Sequence, residues 1–376
     1  MAGIYIHIPY CRQACHYCDF HFSTNISKKS KLVDSICKEL VLQRDYLSQE
    51  SVETIYFGGG SPSLLTTSEL TAILTTVRQN FSIISNAEIT LEGNPDDLTF
   101  SYLKSIYDLG INRLSIGVQS FNEQSLRFLN RVHNARQSAE CLENAVKAGF
   151  DNFNIDLIYG IQSNDHSSWK NDLEMAMAIR PRHISAYCLT IEEKTAFGNW
   201  LKKGKMQPVN EEFAAEQFEM LVEKLEHNNY EHYEISNFAL PSAYSKHNSS
   251  YWKGKNYLGV GPGAHSFNGS SRRFNIENNE KYINFLNENR VLFEEEVLTL
   301  ENKINEYILT TLRTVWGCDN EHLMKNFNFD LIKDKSFVLE DLLKGEYLMQ
   351  KNQTLFLTKR GKLMADKITE QLWVEI

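Results

Sequence analysis

The chain reads as an α/β protein: a parallel-stranded core followed by a smaller C-terminal domain of helices and a hairpin. Three observations carry that reading. Over the first 190 residues, short runs rich in Ile, Tyr, Phe and Val alternate with amphipathic stretches. Beyond them the composition turns charged and is broken by Gly and Pro. From about residue 300, helical patterns give way to "MQKNQTLFLTKRG", a hairpin ahead of a final helix. With 376 residues, two domains and a large core are expected.

The strand candidates are "GIYIHIP" (3–9), "TIYFGG" (54–59), "AEITLEG" (87–93), "RLSIGVQ" (113–119), "NFNIDLIYG" (152–160) and "HISAYCLTI" (183–191). Helical stretches at 28–47, 67–80, 99–107, 136–148 and 168–178 fill the gaps. This alternation predicts right-handed crossovers and a parallel sheet. Six units are too few for a closed eight-unit barrel and suit a partial barrel or a doubly wound open sheet. "IEEKTAFGNWLKKGKMQP" is expected to be a linker or crossing loop. "EEFAAEQFEMLVEKLEHN" then presents Ala214, Phe218, Leu221, Val222 and Leu225 on one helical face. The polar "SFNGSSRRFNIENNE" (266–280) is expected to be an exposed loop. Three segments follow: a core over 1–195, an extension and linker over 196–290, and a C-terminal domain over 291–376.

Composition narrows the function. The hydrophobic fraction of 42% and charged fraction of 23% are those of an ordinary globular protein. A net charge of −9 with no long Lys/Arg run argues against nucleic acid. "MAGIYIHIPY" does not read as a signal peptide, and no run of apolar residues is long enough to span a membrane. Cytoplasmic location is the expectation, supported by an odd number of scattered cysteines.

Three of those cysteines are not scattered. "PYCRQACHYCDF" places Cys11, Cys15 and Cys18 at C-x3-C-x2-C spacing just after the first strand, whereas Cys37, Cys141, Cys188 and Cys318 read as small buried hydrophobes. Close thiols in a reducing compartment usually hold metal. Zinc would take a fourth ligand from His7, His16 or His21 in a closed site. An iron–sulfur cube on three thiolates would leave one iron open. The spacing alone leaves both open.

Other segments fall at or near the rim where sites of parallel barrels are built. "FGGGSPS" follows the second strand, and its glycines let backbone amides approach a ligand. Glu92 and Gln119 end strands, Asp156 lies in one, and Arg131 in "LNRVHN" suits a bidentate bond to a carboxylate. "GVGPGA" (259–264) formally fits a dinucleotide fingerprint, but Pro262 sits in the phosphate turn, so it reads as a strand-to-loop segment.

C-x3-C-x2-C with Tyr17 before the last thiol resembles the radical SAM signature. The resemblance implies a partial (β/α)6 TIM-like barrel. It also implies a [4Fe–4S] cluster whose open iron binds S-adenosyl-L-methionine and delivers the electron that cleaves it to a 5′-deoxyadenosyl radical. "IYIHIPYC", "YFGGGSPSLL", "LSIGVQSFN", "LNRVHN" and "IDLIYGIQ" resemble the oxygen-independent coproporphyrinogen III dehydrogenase group from Tyr5 to about Phe267. Beyond it the winged-helix-like C-terminal domain matches in character only. By that resemblance Tyr5, Gly59, Gly60, Ser61, Glu92, Gln119, Arg131 and Asp156 contact the cofactor.

Two departures separate the chain from the dehydrogenase. Phe20 stands where that group carries a fourth cysteine, and only ten residues precede Cys11. Both features are similar to the HemW-type haem chaperones. So is H-N-x-x-Y-W, here His247, Asn248, Tyr251 and Trp252, which resembles their haem-binding signature. An imidazole ligates haem iron and aromatic rings pack on a porphyrin face. The resemblance thus implies haem, a haem-accepting apoprotein and an electron donor, with a dimer left open. The alternatives are the decarboxylating dehydrogenase and a colourless zinc-stabilised α/β protein.

Overall fold

A computed structural model describes residues 1–375. The six expected strands are β1 (Ala2–Ile8), β2 (Val52–Gly59), β3 (Ile83–Gly93), β4 (Arg113–Gln119), β5 (Phe153–Tyr159) and β6 (His183–Cys188). They pair in that order and all run parallel. The connecting helices are Lys29–Leu42, Thr67–Asn80, Phe100–Asp108, Ala135–Ala148 and Ser167–Ile179. Their ends follow local chemistry. Thr66 with Glu69 and Asn134 with Gln137 form reciprocal capping boxes, and Gly149 closes its helix at φ +107°. The first helix stops at Leu42 rather than the expected 47, because the chain turns and then passes through positive φ at Ser48 and Gln49.

Alternation along the strands divides the sheet into two faces. Ile4, Ile6, Ile8, Ile55, Phe57, Leu91, Leu114, Ile116, Ile155 and Leu157 are fully buried in one core beneath the helices. The opposite face encloses a polar interior of Tyr5, Thr54, Tyr56, Glu88, Glu92, Arg113, Asn154, Asp156 and His183.

Both edges of the sheet are extended. Strands β7 (Glu231–Glu234) and β8 (Asn237–Ala239) add antiparallel beyond β6. On the other edge β9 (Tyr257–Val260) joins β1 in parallel, and β10 (His265–Phe267), β11 (Ser271–Asn275) and β12 (Phe293–Val297) follow antiparallel. The segment 266–280 is therefore not an exposed loop but two strands and the start of the helix Asn279–Asn287. Its polar residues are pairing partners inside the fold: the Ser266 hydroxyl bonds the Gly259 backbone, and Asn275 donates to Glu39 at 2.7 Å. The expected linker likewise holds a helix, Ala196–Lys202, whose Phe197 is fully buried among Leu129, Ile158 and Leu189. Cys141 and Cys318 are buried as expected, whereas Cys37 and Cys188 are only half-buried.

Ile304, Ile308, Leu312, Leu323, Leu339, Leu355 and Ile368 form a second core. It is built by helices and a small sheet of β13 (Cys318–Asp319), β14 (Leu348–Lys351) and β15 (Thr354–Leu357), the last two being the expected hairpin.

Glu39 is buried between the two main layers. It accepts bonds from the Gly261 amide at 2.8 Å, Asn275 and the Tyr282 hydroxyl at 2.5 Å. Burial pushes its carboxyl up to about 7, against those bonds. The folded state thus holds the proton more tightly than the unfolded state, whose value is near 4.5. This contribution is full below that value and is lost as pH rises towards about 7. Denaturant titrations of the wild type and Glu39→Gln across that window should show the wild type losing stability relative to the variant. A pH-independent difference would refute this account.

Candidate cluster and cofactor site

The loop carrying the three thiols leaves the C-terminal end of β1 and is closed at its base. The Ser23 amide donates to Pro9 O at 2.8 Å and the Cys11 amide to Ser23 O at 3.1 Å. A second brace comes from residues 128–131: Asn130 Nδ2 donates to Ala14 O at 2.7 Å and the His16 amide to Leu129 O at 3.2 Å. Arg12 anchors the outer side on Asp97 at 2.7 Å. Burial pushes the Cys11 thiol up to about 11, with the Ser61 hydroxyl opposing, and raises Cys18 as well. Cys11 and Cys18 therefore favour the thiol form, so binding iron there must release protons.

The glycine run lies beside this loop. A side chain at Gly58 would stand 2.9 Å from the rings of Tyr5 and Tyr56, and one at Gly60 would stand 2.7 Å from Tyr10 O. Gly59 has φ +107°, and a Cβ there would sit 2.5 Å from the His7 ring. Glu92 accepts from Tyr56 Oη at 2.7 Å and the Gly59 amide at 3.2 Å, and burial pushes it up to about 7. Asp156, raised chiefly by burial, accepts from Asn154 at 2.6 Å. Gln119 ends β4 at φ +65°, where the pairing with β5 slips. Tyr5 faces the same interior and bonds His7 Nδ1 at 3.1 Å.

Arg131 sits differently from the sequence expectation. Its Nη1 reaches Cys15 Sγ at 3.3 Å and Tyr17 Oη at 3.4 Å, and its Nη2 holds Asn94 Oδ1 at 2.5 Å and Gly117 O at 2.9 Å. Only the buried Nε has no partner, so the guanidinium is not a free fork for a carboxylate. Instead it ties the cysteine loop to the ends of β3 and β4. Asn94, which also donates to Ser61 Oγ at 2.7 Å, was not singled out from sequence. Its place two residues beyond Glu92 was the available signal.

The H-N-x-x-Y-W residues lie on the helix Lys246–Trp252, which passes beneath β1 and β2 rather than forming a surface loop. His247 is 1% exposed. Its Nδ1 bonds Thr54 Oγ1 and its Nε2 bonds Tyr251 Oη, both at 2.8 Å, and its ring stacks on Tyr56 with centroids 4.8 Å apart. Burial, then the charge of Arg113, lowers it to about 3. Glu88 accepts the amides of Lys246 and His247 at the helix start, a role the sequence did not disclose. Asn248 and Trp252 are half-buried, and the Trp252 indole N–H has no partner. His247, which the resemblance makes a haem ligand, is thus a floor residue of the barrel with both ring nitrogens in hydrogen bonds.

Residues 5–176 match the Radical SAM superfamily. Over 371 residues the chain is 31% identical to heme chaperone HemW of Bacillus subtilis, with 98% of each chain covered. It is also 31% identical to heme chaperone HemW of Lactococcus lactis, over 99% of this chain and 97% of that one. The chain belongs to the HemW family of radical SAM proteins. Coproporphyrinogen III oxidase (HemN) from Escherichia coli shares its fold, with a TM-score of 0.86 at 21% identity over 100% of this chain and 91% of that one.

Membership of the radical SAM superfamily brings a [4Fe–4S] cluster and S-adenosylmethionine, and the donor set of this HemW-family chain fits them. Three half-buried thiols share one braced loop beside a side-chain-free glycine cradle. Among the described residues, no three His, Cys, Asp or Glu side chains converge as ligands of one metal ion. Thiolates on three different irons of a cube stand farther apart than the ligands of a single zinc. The histidines considered for zinc are bonded elsewhere: His7 to Tyr5 and His21 O, His16 to Phe128 O, and His21 to Asn279.

Replacing His247 by Ala should destabilise the chain by about 1–3 kcal/mol, because Thr54 and Tyr251 lose their buried partner. Denaturant unfolding measures this. An unchanged midpoint would show that His247 is not the floor residue described.

Proposed function

We propose that this chain is a haem chaperone that binds haem beside a cluster- and S-adenosylmethionine-loaded barrel and passes it to apoproteins. The observation that carries the reading is similarity along the whole chain to proteins named heme chaperone HemW. In this reading Cys11, Cys15 and Cys18 hold the cluster. Tyr5, Gly59, Gly60, Ser61, Glu92, Gln119 and Asp156 form the cofactor cradle, and Arg131 positions Cys15 from behind. The cluster with its cofactor supplies one-electron reductive chemistry. The residues of the chain bind and orient: Glu92 and Asp156 offer acceptors, and the glycines offer backbone amides. An electron donor and a haem-accepting apoprotein complete the system. Among the described residues no helix is long and apolar enough to cross a membrane. All seven cysteines are free, which suits a reducing cytoplasm.

The dehydrogenase remains the second reading because the fold is shared with HemN. Phe20, 72% exposed beside the thiol loop, occupies the place of that group's fourth cysteine and speaks against it.

Two measurements test the proposal. Anaerobic reconstitution should yield a brown protein with stoichiometric iron and sulfide that Cys15→Ala lacks. In the reconstituted protein Glu92→Gln should weaken S-adenosylmethionine binding by roughly 10- to 100-fold, the loss of a hydrogen bond to a charged group. Full iron in Cys15→Ala, or unchanged binding in Glu92→Gln, would overturn these assignments. Haemin titration of the reconstituted protein should saturate near one per chain, and binding should be lost or spectrally shifted in His247→Ala. Absence of saturable binding would sink the chaperone reading and return attention to decarboxylated porphyrinogen products.

A further inference from the structure

The polar interior holds a run of side chains behind Asp156 to which no role has yet been given. His183 on β6, Tyr233 on β7, and Asn154 on β5 are all buried, whereas Asp156 is only partly so. His183 Nδ1 lies 2.6 Å from Asn154 Oδ1, and His183 Nε2 lies 2.7 Å from Tyr233 Oη. Asn154 Nδ2 donates to Asp156 Oδ1 at 2.6 Å and to Ser115 Oγ at 2.8 Å.

The direction of each hydrogen bond follows by elimination. A carboxylate only accepts, and an asparagine amide donates only from its nitrogen. Asn154 therefore turns Nδ2 to Asp156 and Oδ1 to His183, so His183 carries a proton on Nδ1. Burial, then the charge of Arg113, pushes His183 well below its usual range, so the ring is neutral and has that one proton. Its Nε2 is then an acceptor, and the Tyr233 hydroxyl donates to it. All three bonds point the same way, from Tyr233 through His183 and Asn154 to Asp156. The far end is anchored on the C-terminal domain. There the Val315 amide donates to Tyr233 O at 2.8 Å, and the Tyr233 ring stacks on Tyr244 with centroids 4.2 Å apart and 15° between planes.

We propose that His183 is a positioning residue for S-adenosylmethionine, fixing the Asn154 amide so that Asp156 faces the cofactor as an oriented acceptor. The inference rests on the place of Asp156 in the cofactor cradle and names what aims that carboxylate. Without a proton on His183 Nδ1, the Asn154 amide is free to turn over and present Oδ1 to Asp156. Two facing acceptors would then turn the carboxylate away or leave it protonated, and a protonated carboxyl offers a hydroxyl where the cradle needs an acceptor. Burial already favours that proton, and the bonds from Asn154, Ser185 and Ser115 with the charge of Arg113 oppose it. The Nδ1 proton excludes the turned-over amide, because only Oδ1 accepts it. Tyr233 satisfies the Nε2 that this tautomer leaves bare.

The test is an anaerobic titration of the full reconstituted chain with S-adenosylmethionine, with iron content and denaturant midpoint measured alongside. His183→Leu fills the space but cannot donate, whereas His183→Asn donates from an amide but leaves a gap. His183→Leu should bind about tenfold more weakly than the wild type, and His183→Asn within about threefold of it, although the Asn variant is the less stable of the two. A packing role would make affinity follow stability instead. Tyr233→Phe, which deletes one hydroxyl, should weaken binding by about threefold. Wild-type affinity in His183→Leu, or equal weakening in both His183 variants, would overturn the inference. If neither His183 variant takes up iron, Tyr233→Phe decides, and wild-type affinity there would overturn it. Asp156→Asn separates this inference from the cradle beneath it. Weak binding there beside wild-type binding in His183→Leu overturns the role of His183 alone. Wild-type binding in Asp156→Asn removes Asp156 from the cradle, and this inference with it.

Discussion

Each strand of β1–β6 sends alternate side chains to opposite faces, and the connecting helices cover only one of them. Once Ile4, Ile6 and Ile8 pack beneath the helices, Tyr5 and His7 must face the enclosed side. The same step of two places Tyr56 opposite Phe57, Glu92 after Leu91, and Asp156 between Ile155 and Leu157. The apolar layer thus sets the geometry of the polar one. A slip of one residue would exchange them and remove the cofactor cradle altogether.

The polar interior is expensive in solvation, and the fold offsets it by pairing. Glu92 stays bonded to Tyr56 and the Gly59 amide, and His183 to Asn154 and Tyr233. Arg113 is the exception: it is 1% exposed, its Nε lies 3.9 Å from Glu88, and both Nε and Nη2 lack hydrogen-bond partners. Its charge still has a use. It lies near the carboxylates of Glu88 and Asp156, and it adds to the burial that lowers His183 and His247. The helix carrying His247 closes the floor over this set, and its ring stacks under Tyr56, which in turn holds Glu92. The H-N-x-x-Y-W motif is therefore linked to the cofactor cradle through two contacts.

Much of this was legible from residues alone. The six strands, the five main helices and the hairpin follow from periodicity, because a period of two or 3.6 reports directly which face is buried. The loop expected over 266–280 failed for a physical reason. Ser266 and Asn275 are polar yet buried against Gly259 and Glu39, and hydropathy cannot distinguish a solvated polar side chain from a paired one. The burial of His247 was hidden similarly, since the spacing of the motif identifies a helix face but not which side of the barrel covers it. Arg131 was expected to bind a carboxylate, but its partners are Cys15, Asn94 and Gly117, which only the fold brings together.

The thiol loop and the edge strands β9 to β11 are joined by a short chain of hydrogen bonds. His7 Nε2 donates to His21 O at 2.9 Å, and His21 Nε2 bonds Asn279 at 2.8 Å, just beyond β11. Gly261, at the turn after β9, leaves room only because it lacks a side chain: a Cβ there would lie 2.4 Å from His7 O. Glu39 holds that same turn from below through the Gly261 amide. His7 and His21 therefore join the cysteine loop to the segment that follows β11. The cysteine loop and the edge strands are two ends of one hydrogen-bonded assembly.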